Sequence, residues 1–252
     1  MKFTLLIDGK ATETTWGAYL AEGSLANLIT IPAVEYETFN DWHERNGAEV
    51  PAKAPTTARD NTVTLSFIIE RAGVSAFISY LKSTTTHTLR VPELSQEDEW
   101  TVTLKHTGAV DLDFDSAIKL DVSFSVIKDP AEGTATTADV TEFFQKIHSL
   151  GFVELQGTRA EIWKGAEVKD HLNGQKNALT LEQYDIKLPL FHNKGETMKA
   201  RNELFRYLTQ GGERELTYDG RTLKAVYKSA DTDILLHQDW WELSVTFTVT
   251  TF

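Results

Sequence analysis

The 252-residue chain contains no cysteine, which excludes disulfides, thiolate metal sites and cysteine nucleophiles. That absence fits folding in a reducing cytoplasm. Long apolar runs are missing too. The opening stretch Phe3-Thr4-Leu5-Leu6-Ile7 stops at Asp8, short of the ~7–15 apolar residues of a secretory core. No other segment approaches the ~20 residues that span a bilayer. Neither signal-dependent export nor membrane insertion is expected. Positive charge is scarce: 25 Lys and Arg stand against 37 Asp and Glu, a net charge of −12. Nucleic acids and anionic membranes attract proteins through a basic footprint, so neither is an expected partner. With 41% hydrophobic and 25% charged residues, the chain is globular rather than disordered.

Patterns that carry chemistry are also lacking. Asp111-Leu112-Asp113-Phe114-Asp115 starts like a calcium loop, but Ser116 and Val122 stand where the loop needs Gly and Glu. The seven histidines show no HExxH spacing; His43-Glu44 has no second histidine in place, and His87 and His106 would have to meet across strands. There is no GxSxG elbow and no phosphate-cradling glycine loop. An enzyme is not expected, and no cofactor or metal is implied.

What the chain does have is an internal repeat. Leu120-Asp121-Val122-Ser123-Phe124-Ser125-Val126 returns as Leu243-Ser244-Val245-Thr246-Phe247-Thr248-Val249, an offset of 123 (243 − 120). Val63, Leu65 and Phe67 fall on Ile186, Leu188 and Leu190 at the same offset. Phe77-Ile78-Ser79-Tyr80-Leu81 falls on Leu204-Phe205-Arg206-Tyr207-Leu208, and Leu89 on Leu216, at an offset of 127 (208 − 81). One four-residue insertion and one four-residue deletion in connections account for the change. Trp16-Gly17-Ala18 is also matched to Trp163-Lys164-Gly165-Ala166.

Each copy reads as a half-buried strand, a short helix, two strands and a closing strand. In the first copy, Thr62 to Ile69 alternates with period two, and Gly73 precedes a helix whose Val74, Phe77, Ile78 and Leu81 make one apolar stripe. Strands follow at Thr86 to Val91, Trp100 to Thr107 and Ile118 to Ile127. In the second copy they run from Tyr184 to Phe191, Arg214 to Tyr218, Arg221 to Lys228 and Trp241 to Thr251, with a helix near 196–210. Pro189 cannot donate to a ladder, so its strand is expected at an edge or bulged there. Phe3 to Ile7 and Phe152 to Leu155 are expected to add strands, and a second sheet is expected to cover each first one.

The fold class is therefore mainly β: two tandem copies of a β-sandwich domain, each with one flanking α-helix. Residues 1–127 are copy one, 128–150 a linker with a short helical pattern (Val140, Phe143, Phe144, Ile147) capped by Asp139 or Thr141, and 151–252 copy two. The long stretch Glu35 to Asn61 has no counterpart of equal length and is expected to project, mobile or engaged with another subunit. Of the six tryptophans, Trp16, Trp163 and Trp241 read as structural. Trp42 and Trp240 are the candidate partner contacts.

The strand, the helix carrying Phe77-Ile78-Ser79-Tyr80-Leu81, the return strands and the closing Leu120-Asp121-Val122-Ser123-Phe124-Ser125-Val126 resemble the bacteriophage tail-tube domain, a β-sandwich flanked by a helix. Trp16-Gly17-Ala18-Tyr19-Leu20 followed by a long loop looks most like a distal tail protein of a siphophage or prophage. The resemblance covers most of both halves. It implies a non-catalytic component of a virion tail, assembled in the bacterial cytoplasm, whose partners are copies of itself in a ring and other tail proteins. If a ring holds six such domains, three chains complete it; a hexamer with only the first copy lining the ring is the alternative. The acidic balance is compatible with a channel that lets DNA slide. The competing reading is a glycan-binding or cell-surface adhesion β-sandwich, with an exposed Trp as sugar platform.

Overall fold

A computed structural model describes residues 3–35, 40–41, 48–49, 56–57, 61–111, 116–132, 142–155, 184–218, 220–237 and 240–251. The chain is mainly β, in two tandem sandwich-like units that each carry a flanking helix. The first unit opens with β1 (Leu6–Ile7) and β2 (Lys10–Ala11), joined by Asp8-Gly9 with φ of 51° and 75°, the two positive angles of a tight hairpin turn. Next come α1 (Thr12–Trp16), β3 (Ala18–Leu20) and α2 (Ala26–Ile29). The short strands β4 (Val34–Glu35), β5 (Asn40–Asp41), β6 (Ala48–Glu49) and β7 (Thr56–Thr57) pair in nested fashion, β4 with β7 and β5 with β6. These are the described parts of the long stretch, and β4 and β6 approach the second unit. The repeat itself follows: β8 (Thr62–Glu70), α3 (Arg71–Leu81), β9 (His87–Arg90), β10 (Trp100–Asp111) and β11 (Ala117–Lys128).

The second unit comprises α4 (Phe143–Ser149), β12 (Phe152–Glu154), β13 (Tyr184–His192), α5 (Thr197–Thr209), β14 (Arg214–Tyr218), β15 (Arg221–His237) and β16 (Trp240–Thr251). The first sheet is ordered β2-β1-β9-β10-β11-β8-β3 and the second β12-β13-β16-β15-β14. Read from the opposite end, the second matches the first strand for strand from β3 to β9. The register matches as well. Phe124 pairs Val63 and Phe247 pairs Ile186; Ile118 pairs Ile69 and Trp241 pairs His192, all at the offset of 123. On the hairpin strand, Leu89 pairs Trp100 while Leu216 pairs Leu223, at the offset of 127 for the first member.

Two bulges recur with the register. Lys105 is the extra residue between Leu104 and His106, and Lys228 the one between Tyr227 and Ser229. Further along, Ile127 and Thr250 are the unmatched residues of β11 and β16. Each bulge lysine reaches one and the same place on the helix-preceding strand: Lys105 donates to Thr62 Oγ1 at 2.9 Å, and Lys228 pairs with Asp185. The insertion is the segment Asn193 to Glu196 between β13 and α5, since α3 follows β8 directly. The deletion falls in the connection between β9 and β10, whose counterpart is the short interval between the end of β14 at Tyr218 and the start of β15 at Arg221.

Several expectations need correction. Gly73 lies inside α3 rather than before it, because the helix begins at Arg71, and a Cβ there would collide with the Trp16 backbone carbonyl. The counterpart of Trp16-Gly17-Ala18 is Leu150-Gly151-Phe152, not the stretch at Trp163, which lies outside the described residues. Ala18 pairs Ile69 and Phe152 pairs His192 at equivalent register, after left-handed glycines with φ of 66° and 87°. The cap of α4 is Glu142, whose carboxylate accepts from Gln145 N at 2.6 Å, rather than Asp139 or Thr141. Its helix belongs to the second unit's core: Phe143 packs edge-on against Phe247 at 4.8 Å. Each sheet curls, and α3 and α4 help close the apolar faces, with Phe67 edge-on to Phe77 at 5.2 Å. Pro189 sits where the short β12 ends, its carbonyl accepting from Leu155 N, so its missing N–H lies at the margin of the paired region.

The alternating residues supply the core. Val63, Leu65, Phe67 and Ile69 are buried with Ile118, Leu120, Val122 and Phe124, and their second-unit counterparts with them. Leu81 and Leu208 are buried at matching helix positions. The buried apolar residues form one cluster that runs through both units.

Candidate interaction surfaces

Among the described residues, no three His, Asp or Glu side chains converge as metal ligands. His87 pairs opposite Val102 and His106 opposite Ser123, so the two histidines do not meet. The Asp8–His87 pair among the described residues is a structural knot. His87 is 1% exposed, with Nδ1 2.6 Å from Asp8 and Nε2 2.9 Å from the Leu81 carbonyl, which leaves no ring nitrogen for a substrate. Burial alone would raise the Asp8 pKa, but hydrogen bonds from His87, Thr88 N and Tyr80 outweigh it and hold the carboxyl below its usual range. The Tyr80 hydroxyl is pushed up to about 12 by burial and by its bond to Asp8.

A more distinctive feature joins the two units. Arg201, on α5, is fully buried and satisfies all five of its N–H groups. Nε donates to Ile29 O at 3.1 Å, Nη1 to Asp129 Oδ1 and to Asn202 Oδ1 at 3.2 Å, and Nη2 to Asp129 Oδ2 at 2.5 Å and Thr30 O at 3.4 Å. The guanidinium also lies 5.9 Å from the Trp100 ring and 5.1 Å from that of Phe205. Around it, Asn202 donates to Asp98, Arg206 to Ala131 O, and Tyr227 OH to Pro32 O at 2.9 Å. Planar, bidentate recognition fixes orientation as well as distance, so this junction sets the two units in one geometry. Sequence reading missed it. Arg201 and Asp129 are far apart in the chain, and neither stands in a pattern that marks a buried charge.

On the outward side, the predicted contact Trp240 is 37% exposed. Its ring lies 4.6 Å from Phe191, and its Nε1 donates to Glu242 at 3.0 Å. Val153 pairs with Phe191 across β12 and β13, and Val153 and Leu155 are 47% and 43% exposed. The result is a small apolar row on the outer face of the second sheet. The first unit keeps the same row in reduced form: Tyr19, 43% exposed, stands at the place of Val153 and pairs with Ile68, the counterpart of Phe191. Trp42, the other predicted contact, lies outside the described residues. No model of a known protein family, no characterised protein and no solved structure matches this chain.

Proposed function

We propose that this chain is a structural component of a phage or prophage tail, forming a ring at the tail tube or baseplate. One observation carries the reading: a single chain holds two units with the same strand order, register and bulges, locked together by a buried junction. Two copies fixed side by side suit an assembly built by repeating one contact around an axis. The resemblance of the repeat to the tail-tube domain supplies the rest. A net charge of −12 is compatible with a channel that does not grip phosphates. Three chains, each giving two units, make the preferred ring; six chains with one unit each at the lumen make the alternative. Mass spectrometry and negative-stain imaging of tails from an induced host test the proposal. The expected result is this chain in purified tails, at a ring with three-fold or six-fold symmetry, and its absence from intact tails would overturn the reading.

A glycan-binding or adhesion role is favoured by one feature, the Trp240–Phe191 pair on an open sheet face. A glycan array decides it. Binding that Trp240→Ala abolishes would establish that role, and a blank array would remove it.

A further inference from the structure

The junction inside the chain is itself a contact between two copies of one unit, and the matching positions on the first unit are only half-buried. Within the chain, the segment after β3 closes over α5 and β15: Ile29 O and Thr30 O accept from Arg201, and Ile31 O and Pro32 O accept from Tyr227. Arg201, Phe205 and Tyr227 are 0%, 3% and 1% exposed under this cover. The repeat register places Val74, Ile78 and Leu104 at those three positions in the first unit. All three are apolar and only half-buried. The helix that carries two of them is unusual for a solvent-facing one. From Ala72 to Leu81 it has no charged residue, although a quarter of the chain is charged. Nine residues of α5 are buried, but in α3 only Phe77 and Leu81 are.

The sequence also repeats the covering segment. Asn27-Leu28-Ile29-Thr30-Ile31 follows the edge strand β3, and Asn177-Ala178-Leu179-Thr180-Leu181 occurs in the connection after β12, between the same pair of equivalent strands. Every second-unit position in this second set lies outside the described residues, and the comparison is one of sequence. The first set already fills its seat on the second unit of its own chain. We propose that the α3–β10 face of the first unit receives the second unit of another copy of this chain, through residues 177–181, so that chains join head to tail by a contact equivalent to the internal junction. Such a contact is heterologous, and it closes into a ring when its rotation divides the circle. The inference rests on the ring reading and gives it a specific face.

Sedimentation analysis over a wide concentration range tests it on the full chain, with the thermal midpoint of each variant as a folding control. Ser75 is exposed on α3, at the counterpart of the junction residue Asn202. The wild type is expected to associate. Ser75→Arg and, independently, Leu179→Asp are each expected to weaken association by about tenfold or more with the midpoint unchanged. Association that survives both substitutions would overturn the face while leaving the ring reading intact. A wild type that stays a single chain at every soluble concentration would overturn the inference, and the ring reading would then be judged separately by the presence of the chain in tails. A single chain whose midpoint falls with both substitutions would place the segment on its own first unit and overturn the proposal equally.

Discussion

His87 and Arg214 occupy one place in the two units and perform one task with different chemistry. Each starts the strand after the helix, and each donates to a carbonyl in the last turn of that helix: His87 Nε2 to Leu81 O, and Arg214 Nη2 to Tyr207 O. Each also packs on the matching tyrosine ring, Tyr80 at 5.7 Å and Tyr207 at 4.6 Å. A donor that can carry positive charge satisfies orphan carbonyls and complements the helix dipole there. Arg214 adds bonds to the Gly211 and Gly212 carbonyls at 2.8 and 3.1 Å. Arg214→Leu is therefore expected to destabilise the protein by about 1–3 kcal/mol, read by urea denaturation, because charged donors to buried carbonyls are lost.

Removing one partner of the buried Arg201–Asp129 pair leaves an uncompensated charge in the junction. Asp129→Leu alone is expected to cost about 3–5 kcal/mol. The double variant Asp129→Leu with Arg201→Met is expected to recover much of that loss, since an apolar pair of similar volume no longer needs solvation. Urea melts of the three proteins check this. A double variant as unstable as the single one would show that Arg201 acts mainly through its bonds to Ile29 and Thr30.

Gly73→Ala offers a case where local and tertiary effects oppose each other. In an isolated helix the change would stabilise by roughly 1 kcal/mol. Here the added Cβ meets the Trp16 backbone carbonyl, which has no side-chain freedom with which to yield. A lowered thermal midpoint is expected; a raised one would mean that α1 shifts away from α3 at little cost.

Acid should weaken the fold before the carboxylates titrate. Burial depresses the His192 pKa from its usual 6.5, and the charge of Lys194 acts in the same direction, against a hydrogen bond to the Leu150 backbone. The unfolded chain therefore takes up this proton first. The stabilising contribution is fully present above about 6.5 and falls as the pH drops below it, by at most about 1.4 kcal/mol per unit. Asp8 and Asp185 are both held below their ordinary value of 3.8, so their contributions are lost only at lower pH. Replacing His192 by Ile, the residue at the matching first-unit position Ile69, is expected to flatten the slope of unfolding free energy between pH 7 and 5 by about one proton's worth.

Period-two patterning made the closing strands legible. Leu120, Val122 and Phe124 face the core because alternate residues share a face, and the same residues at 243, 245 and 247 do so again. The change of offset from 123 to 127 could be read because the helix and hairpin strand moved together. The edge strand was misplaced because Trp163 drew the match, whereas the element is defined by a left-handed glycine, Gly17 or Gly151, turning a short helix into the sheet. The junction was illegible for a different reason. A buried arginine is set by what surrounds it in space, and the carbonyls of Ile29 and Thr30 carry no sequence signature.

The strand that closes each unit is also an inner strand of its sheet. β11 lies between β10 and β8, and β16 between β15 and β13. As each repeat is synthesised, its helix and first hairpin emerge while both neighbours of the missing strand still show unpaired inner edges. Nucleation by local pairs is therefore possible, but the sheet can form only when the last strand inserts, which couples all its ladders into one cooperative step. Until then the open edges on β13 and β15 are templates for strands from other chains. During production the hazard is thus timing rather than composition: a ribosome stalled before Trp240 would leave a slot that any extended segment can fill.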